Sequence, residues 1–111
     1  MSKIVYNKLI RDRIPEIIHA AGKQCETEVM PEAEYIQALR DKLVEEAQEA
    51  QKATPADLAT ELADICEVMD ALMAVHGISP EQVSQLQATR REERGAFEKR
   101  LRLLWTEKTN V

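Results

Sequence analysis

Glycine, proline and aromatic residues are scarce in this chain of 111 residues. It contains three glycines, four prolines and 4% aromatic residues. Because few residues break helices and Ala, Leu, Glu, Gln, Lys and Arg dominate, the composition favours α-helix. The length suits one domain that covers residues 1–111.

Cysteine and long apolar runs are also scarce. The two cysteines, Cys25 and Cys66, are far apart, which argues against a disulfide framework and against a cysteine-rich zinc site. No apolar run approaches the length that spans a membrane. The opening residues 1–6 are soon followed by the charged residues Lys8, Arg11, Asp12 and Arg13, so the opening does not resemble a signal peptide. We therefore expect a cytoplasmic protein with no membrane partner.

The charge balance excludes another class of partner. Acidic residues outnumber Lys and Arg by 20 to 15, for a net charge of −5. A protein that binds duplex nucleic acid usually shows the opposite balance, so we expect no such partner. Basic residues nevertheless cluster at residues 8–13 and 90–102. Local positive charge on an acidic protein fits a small anionic ligand.

Apolar residues recur at helical spacing in four segments. The segments run from about residue 12 or 14 to 21, from 31 to 53, from 54 to 77 and from 79 to 91. Thr54 and Ser79 are each followed by proline, as expected of an N-cap and a first helical residue. Residues 101–105 are apolar and read as a strand or as an arm on a partner. We predict an all-α fold, an antiparallel helical bundle of about four helices with a short extended N-terminal lead-in and a C-terminal arm.

Four carboxylates stand out in the second and third helical segments. Glu46 and Glu49 form one pair, Glu61 and Asp64 the other, and residues three apart share a helix face. Glu46 lies within about 20° of Leu39, inside the apolar stripe, where a lone carboxylate is costly to desolvate. A solvated surface explains any single Glu, but two such pairs favour a metal site. If the helices pack antiparallel, the four acids converge on one place. Their carboxylate oxygens are ligands that suit Mg²⁺ or Mn²⁺.

These acids carry a resemblance to a known superfamily. The pattern Glu45-Glu46-x-x-Glu49 followed by Glu61-x-x-Asp64 resembles the signature of the all-α nucleoside triphosphate pyrophosphatases. That superfamily includes MazG-like enzymes, dimeric dUTPases and phosphoribosyl-ATP pyrophosphohydrolases. Residues 6–15 (YNKLIRDRIP) and 94–97 (RGAF) are similar to a short subgroup described as house-cleaning pyrophosphatases.

The resemblance implies a reaction and a set of site residues. It implies Mg²⁺-dependent cleavage between the α- and β-phosphates of a nucleoside triphosphate, in a homodimer or homotetramer. It also implies metal ligands at Glu46, Glu49, Glu61 and Asp64. Glu45 matches the first acid of the double Glu and is expected to assist the metal ligands or to position water. Glu45 and Glu46 are thus the predicted catalytic pair.

Basic side chains are the natural ligands for the remaining phosphates. We nominate Lys8, Arg11, Lys42 and Arg94, although an i,i+4 ion pair with Glu46 explains Lys42 equally well. Two alternatives to a general nucleotide pyrophosphohydrolase stay open. One is the phosphoribosyl-ATP pyrophosphohydrolase of histidine biosynthesis, and the other is a non-catalytic helical module that binds a nucleotide or a protein. The base and sugar of the substrate, the number of metal ions and the subunit contacted by residues 94–97 stay open too.

Overall fold

The computed structural model describes residues 2–108, and within this range the chain forms four helices and no strand. The helices are α1 (Ile14–Ala20), α2 (Glu32–Lys52), α3 (Leu58–His76) and α4 (Pro80–Arg94). The predicted all-α fold class is confirmed. The helices belong to two compact units, of which the first ends at Ile78 and the second begins at Ser79. The single domain predicted for residues 1–111 stays a prediction.

A hairpin of α2 and α3 forms the body of the first unit. The helices contain 21 and 19 residues and pack against each other across a connection at residues 53–57. Leu39 of α2 and Val68 of α3 are its buried apolar residues, at 3% and 8% exposure. Leu9 and Ile10 of the lead-in are half-buried. The lead-in therefore rests partly on other residues of this unit.

The apolar stripe that helical spacing predicts on α3 is only partly buried, since two of its members are half-buried and three are exposed: Leu58, Leu62, Ile65, Met69 and Leu72. Leu58, Leu62 and Met69 are 38%, 49% and 39% exposed, whereas Val68, which lies off this stripe, is buried. Periodicity shows which residues share a helix face but not which face meets a neighbour. In the hairpin, the face that carries Val68 and the acids is the one that meets α2.

Local residues define most of the helix ends. Pro15 lies in the first turn of α1, and Gly77, with φ of 66°, caps the C-terminus of α3. The predicted N-cap role of Thr54 is wrong, because residues 55–57 form a turn and α3 begins at Leu58. The Thr54 hydroxyl instead donates to the carboxylate of Asp57 at 3.2 Å. The Thr54 carbonyl accepts hydrogen bonds from the N–H groups of Asp57 and Leu58, at 3.0 Å each, and so closes the turn that precedes α3.

The second unit contains α4 and the C-terminal tail. Ser79 is the predicted N-cap, and its Oγ accepts a hydrogen bond from the N–H of Gln82 at 3.1 Å. The helix continues to Arg94, three residues beyond the predicted end, and Gly95 follows with φ of 83°. Residues 101–108 form neither helix nor strand, and the side chain of Trp105 is 73% exposed. Among residues 2–108, no helix is both long enough and apolar enough to cross a membrane.

Candidate metal centre

Three carboxylates converge between α2 and α3. One oxygen from each of Glu46, Glu61 and Asp64 lies within 4.8 Å of the others. Glu46 comes from α2, six residues before its end, and the other two come from the first two turns of α3. The i,i+3 spacing in α3 places two acids on the face that meets α2. The fold thus unites three of the four acids predicted as metal ligands.

Glu49 is the fourth predicted ligand, and it lies at the edge of this group. Its side chain is exposed, and it is not part of the three-oxygen cluster. Its carboxyl group is still close enough to raise the pKa of both Glu46 and Glu61. Glu49 therefore belongs to the same electrostatic site, and its role as a ligand stays a prediction.

Two oxygens of the cluster have no partner of their own. Oε2 of Glu46 and Oε2 of Glu61 are buried and accept no hydrogen bond from any of the residues that the structure describes. Buried carboxylate oxygens normally have partners, because desolvation without compensation is unfavourable. A small cation among these three residues would offer a partner to such unpartnered acceptors.

Burial also alters the proton affinity of these acids. Desolvation, followed by the negative charge of Glu49, raises the pKa of Glu46 above its ordinary value of 4.5. The same two causes, in the same order, raise the pKa of Glu61, with Asp64 adding to the effect. Lys42 acts in the opposite direction on Glu46 but does not cancel the rise. Ionisation of Glu46 and Glu61 is therefore disfavoured in the folded protein, and a nearby positive charge would favour it.

Two of the predicted phosphate-binding lysines contact the acidic residues of α2. Nζ of Lys42 lies 3.8 Å from both Glu45 Oε2 and Glu46 Oε1. Nζ of Lys8 reaches Glu45 Oε1 at 3.3 Å. Asn7, with φ of 48°, occupies the left-handed region just before Lys8, a conformation that asparagine tolerates better than most residues. Glu45 is therefore held between two ammonium groups, and it directly precedes Glu46, whose Oε2 has no hydrogen-bond partner among the described residues.

Arg11 contacts the acids of α3 from the other side. Its Nη2 donates to Asp64 Oδ1 at 2.7 Å, and its Nη1 lies 3.8 Å from Glu67 Oε1. The side chain of Glu67 is exposed, yet it shares Arg11 with Asp64. The i,i+3 spacing of Asp64 and Glu67 indicates in the sequence that these two acids are neighbours on one helix face. It does not reveal a partner 53 residues earlier in the chain.

A cleft of about 470 Å³ is lined by some of these groups. Its charged lining includes Arg11, Lys42, Glu46, Asp64 and Glu67. The remaining lining is largely apolar and includes Leu9, Ile10, Tyr35, Leu39, Val68 and Ala71. A cleft with clustered charge and an apolar wall suits a ligand that is charged in one part and apolar in another.

Arg94, the fourth predicted phosphate ligand, is exposed in the last turn of α4, in the second unit. Its assignment stays a prediction.

Comparison with known proteins identifies the family. A family model described as phosphoribosyl-ATP pyrophosphohydrolase matches residues 6–91, from the lead-in through both acidic helices and into α4. Neither the curated proteins nor the solved structures gave a significant match. Because the match covers most of the chain and includes every acid of the cluster, the chain belongs to the phosphoribosyl-ATP pyrophosphohydrolase family, within the superfamily of MazG-like nucleoside triphosphate pyrophosphatases.

Proposed function

We propose that this protein is a divalent-cation-dependent nucleotide pyrophosphohydrolase. In this proposal it cleaves the α–β phosphoanhydride of a nucleoside triphosphate, canonical or not, and releases a monophosphate and pyrophosphate. Membership of the family supports pyrophosphohydrolase chemistry. The observation that carries the proposal is the convergence of Glu46, Glu61 and Asp64 with two buried, unpartnered oxygens among them.

The residues present fit a divalent cation. The cluster offers only carboxylate oxygens, which are the ligands of hard ions such as Mg²⁺ and Mn²⁺ rather than of zinc or copper. We propose Glu46, Glu61 and Asp64 as ligands, with Glu49 as a fourth. When bound there, such an ion neutralises phosphate oxygens and makes a water molecule more acidic.

The protein's own side chains perform the remaining tasks. We propose that Glu46, which is buried on α2, contributes a carboxylate to the cation together with the two acids of α3. We propose that Glu45, which Lys8 and Lys42 hold by ion pairs, orients the attacking water. The same lysines and Arg11 lie at the edge of the acids, where their charge can bind phosphate oxygens. Arg94 is proposed as a further phosphate ligand.

The direct test is pyrophosphate release from a panel of canonical and damaged nucleoside triphosphates with Mg²⁺. Glu46→Gln and Asp64→Asn are expected to lose at least about a hundredfold in kcat, the scale on which charge stabilisation acts in a reaction. Asp70→Asn is a matched control, because Asp70 is exposed on α3 and is not among the clustered acids. Full activity in both site variants would refute the site. Absence of Mg²⁺ binding in calorimetry would favour a non-catalytic module.

Phosphoribosyl-ATP is the second candidate substrate, and the description of the matching family favours it. It carries the same α–β phosphoanhydride, so the same acids would serve. The two candidates separate in the cell, because only a phosphoribosyl-ATP pyrophosphohydrolase restores growth of a histidine auxotroph that lacks this activity. Failure to complement, combined with pyrophosphate release from a nucleoside triphosphate, would assign the protein to general nucleotide hydrolysis.

We also propose that the chain acts as a homodimer or homotetramer. The support is the exposed apolar surface of the hairpin, where Val44 is 58% exposed and Leu62 49% exposed. Among the described residues only Leu39, Val68 and Glu46 are buried, which is little core for helices of this length. Sedimentation of the wild-type protein, and of Leu62→Glu with its added charge on this surface, tests the proposal. A monomer at micromolar concentration in the wild type would refute it.

A further inference from the structure

Arg11 contacts two carboxylates, of which only one belongs to the proposed cation site. Its contact with Asp64 is short, at 2.7 Å, and its contact with Glu67 is looser, at 3.8 Å. Asp64 also belongs to the three-carboxylate cluster, whereas Glu67 does not. One acid of the pair is therefore tied to the proposed cation site, and the other is independent of it.

This sharing creates a conflict at Asp64 if the proposed function holds. Oδ1 of Asp64 accepts the hydrogen bond from Arg11. If a cation were bound at the cluster, its positive charge would repel the guanidinium and weaken the attraction of Asp64 for Arg11. The Arg11 side chain is 55% exposed, so its burial alone would not keep it beside the cleft once Asp64 holds it less strongly.

Glu67 can resolve this conflict. It lines the same cleft as Arg11 and Asp64, and its carboxylate already lies beside Nη1 of Arg11. Because Glu67 stands one turn further along α3, a cation at the cluster would leave it free to hold Arg11. An ordered guanidinium beside the acids is pre-organised to bind a phosphate, whereas a solvated one must first be ordered.

We propose that Glu67 is a positioning residue for substrate binding. It keeps Arg11 at the cleft when a divalent cation occupies the acidic cluster, so that the guanidinium is placed to bind the phosphates of the nucleotide. This inference rests on the proposed function for the identity of the ligand. An exposed ion pair contributes little to folding stability, so a merely structural role would leave nucleotide affinity unchanged.

The test measures binding without turnover. The probe is an α,β-methylene analogue of the nucleoside triphosphate that the wild type hydrolyses fastest, or of ATP if none is hydrolysed, in saturating Mg²⁺. Glu67→Gln is expected to raise its dissociation constant about two- to tenfold, as for the loss of one ordered flexible side chain. Asp70→Asn, one turn further along α3 and outside the cleft lining, is expected to leave it unchanged.

A double-mutant comparison tests whether Glu67 affects nucleotide binding through Arg11. When Arg11→Gln is already present, Glu67→Gln is expected to have no further effect, because there is no guanidinium left to hold. In turnover assays, Glu67→Gln should raise KM and change kcat less than twofold. An unchanged dissociation constant in Glu67→Gln, an equal effect with and without Arg11, or no binding of the analogue by the wild type would each overturn the proposal.

A spectroscopic readout is independent of nucleotide. The Nε–H signal of Arg11, assigned from its loss in Arg11→Lys, reports whether the guanidinium is ordered. With Mg²⁺ it should stay protected from exchange in the wild type and lose protection in Glu67→Gln. The same protection in both proteins would overturn the proposal. If no nucleotide releases pyrophosphate, the proposed function fails, but the binding and spectroscopic results still decide the role of Glu67.

Discussion

Replacing Glu46 with Gln is expected to stabilise the cation-free protein while weakening its affinity for divalent cations. Glu46 is 8% exposed, and its Oε2 is buried without a hydrogen-bond partner among the described residues. Desolvation and the charge of Glu49 raise its pKa, so the ionised form is unfavourable in the folded state. Glutamine has nearly the same shape, carries no charge, and can donate its amide hydrogens to neighbouring carboxylates.

The expected magnitude follows from two opposing contributions. Leaving a buried polar atom unsatisfied costs about 1–3 kcal/mol. The substitution also removes the ion pair with Lys42, which is 3.8 Å long and partly exposed, so its contribution is about 0–1 kcal/mol. The net expectation is stabilisation by about 1 kcal/mol, which corresponds to a rise in Tm of about 4–8 °C for a small domain.

Thermal unfolding followed by circular dichroism in EDTA at neutral pH, at one fixed protein concentration, provides the assay. Glu45→Gln is the matched control, because Glu45 precedes Glu46 on α2 but has ion pairs with Lys8 and Lys42. It should leave Tm unchanged or lower it. Added Mg²⁺ should then raise the Tm of the wild type by more than that of Glu46→Gln. A lower Tm for Glu46→Gln in EDTA would refute the reasoning.

Two further predictions concern pH and helix capping. Because the pKa values of Glu46 and Glu61 are raised in the folded state, the folded protein binds more protons than the unfolded chain just above pH 4.5. These two groups therefore lower the unfolding free energy as pH rises from about 4.5 through their raised pKa values. In EDTA, the unfolding free energy of Glu46→Gln should exceed that of the wild type by an amount that grows over that pH interval. Urea titrations at several pH values measure this difference. A difference that stays constant with pH would contradict the raised pKa of Glu46. Separately, Ser79→Ala removes the side-chain acceptor for the N–H of Gln82 and should destabilise α4 by about 1 kcal/mol, measurable as faster amide exchange in its first turn, whereas Ser79→Asp should preserve the cap.

The four helices, and the caps at Ser79 and Gly77, were predictable because they depend on neighbours in sequence. Ser79 caps α4 through a contact three residues away, and Gly77 ends α3 through its own backbone conformation. The burial of Glu46 beside Leu39 followed from the 100° turn per residue of a helix. The error at Thr54 is of the same local kind, since its hydroxyl pairs with Asp57 instead of capping the helix.

The sequence alone thus determined the acidic pairs, the helices that carry them and the burial of Glu46, because each depends on residues a few positions apart. The packing of α2 on α3 decided which acids meet: it placed Glu46 with Glu61 and Asp64 and left Glu49 at the edge. It also decided that Val68 is buried, because periodicity does not select which helix face meets a neighbour. The ion pairs of Lys8 and Arg11 join residues 37 and 53 positions apart, and only the folded chain brings such distant charges together.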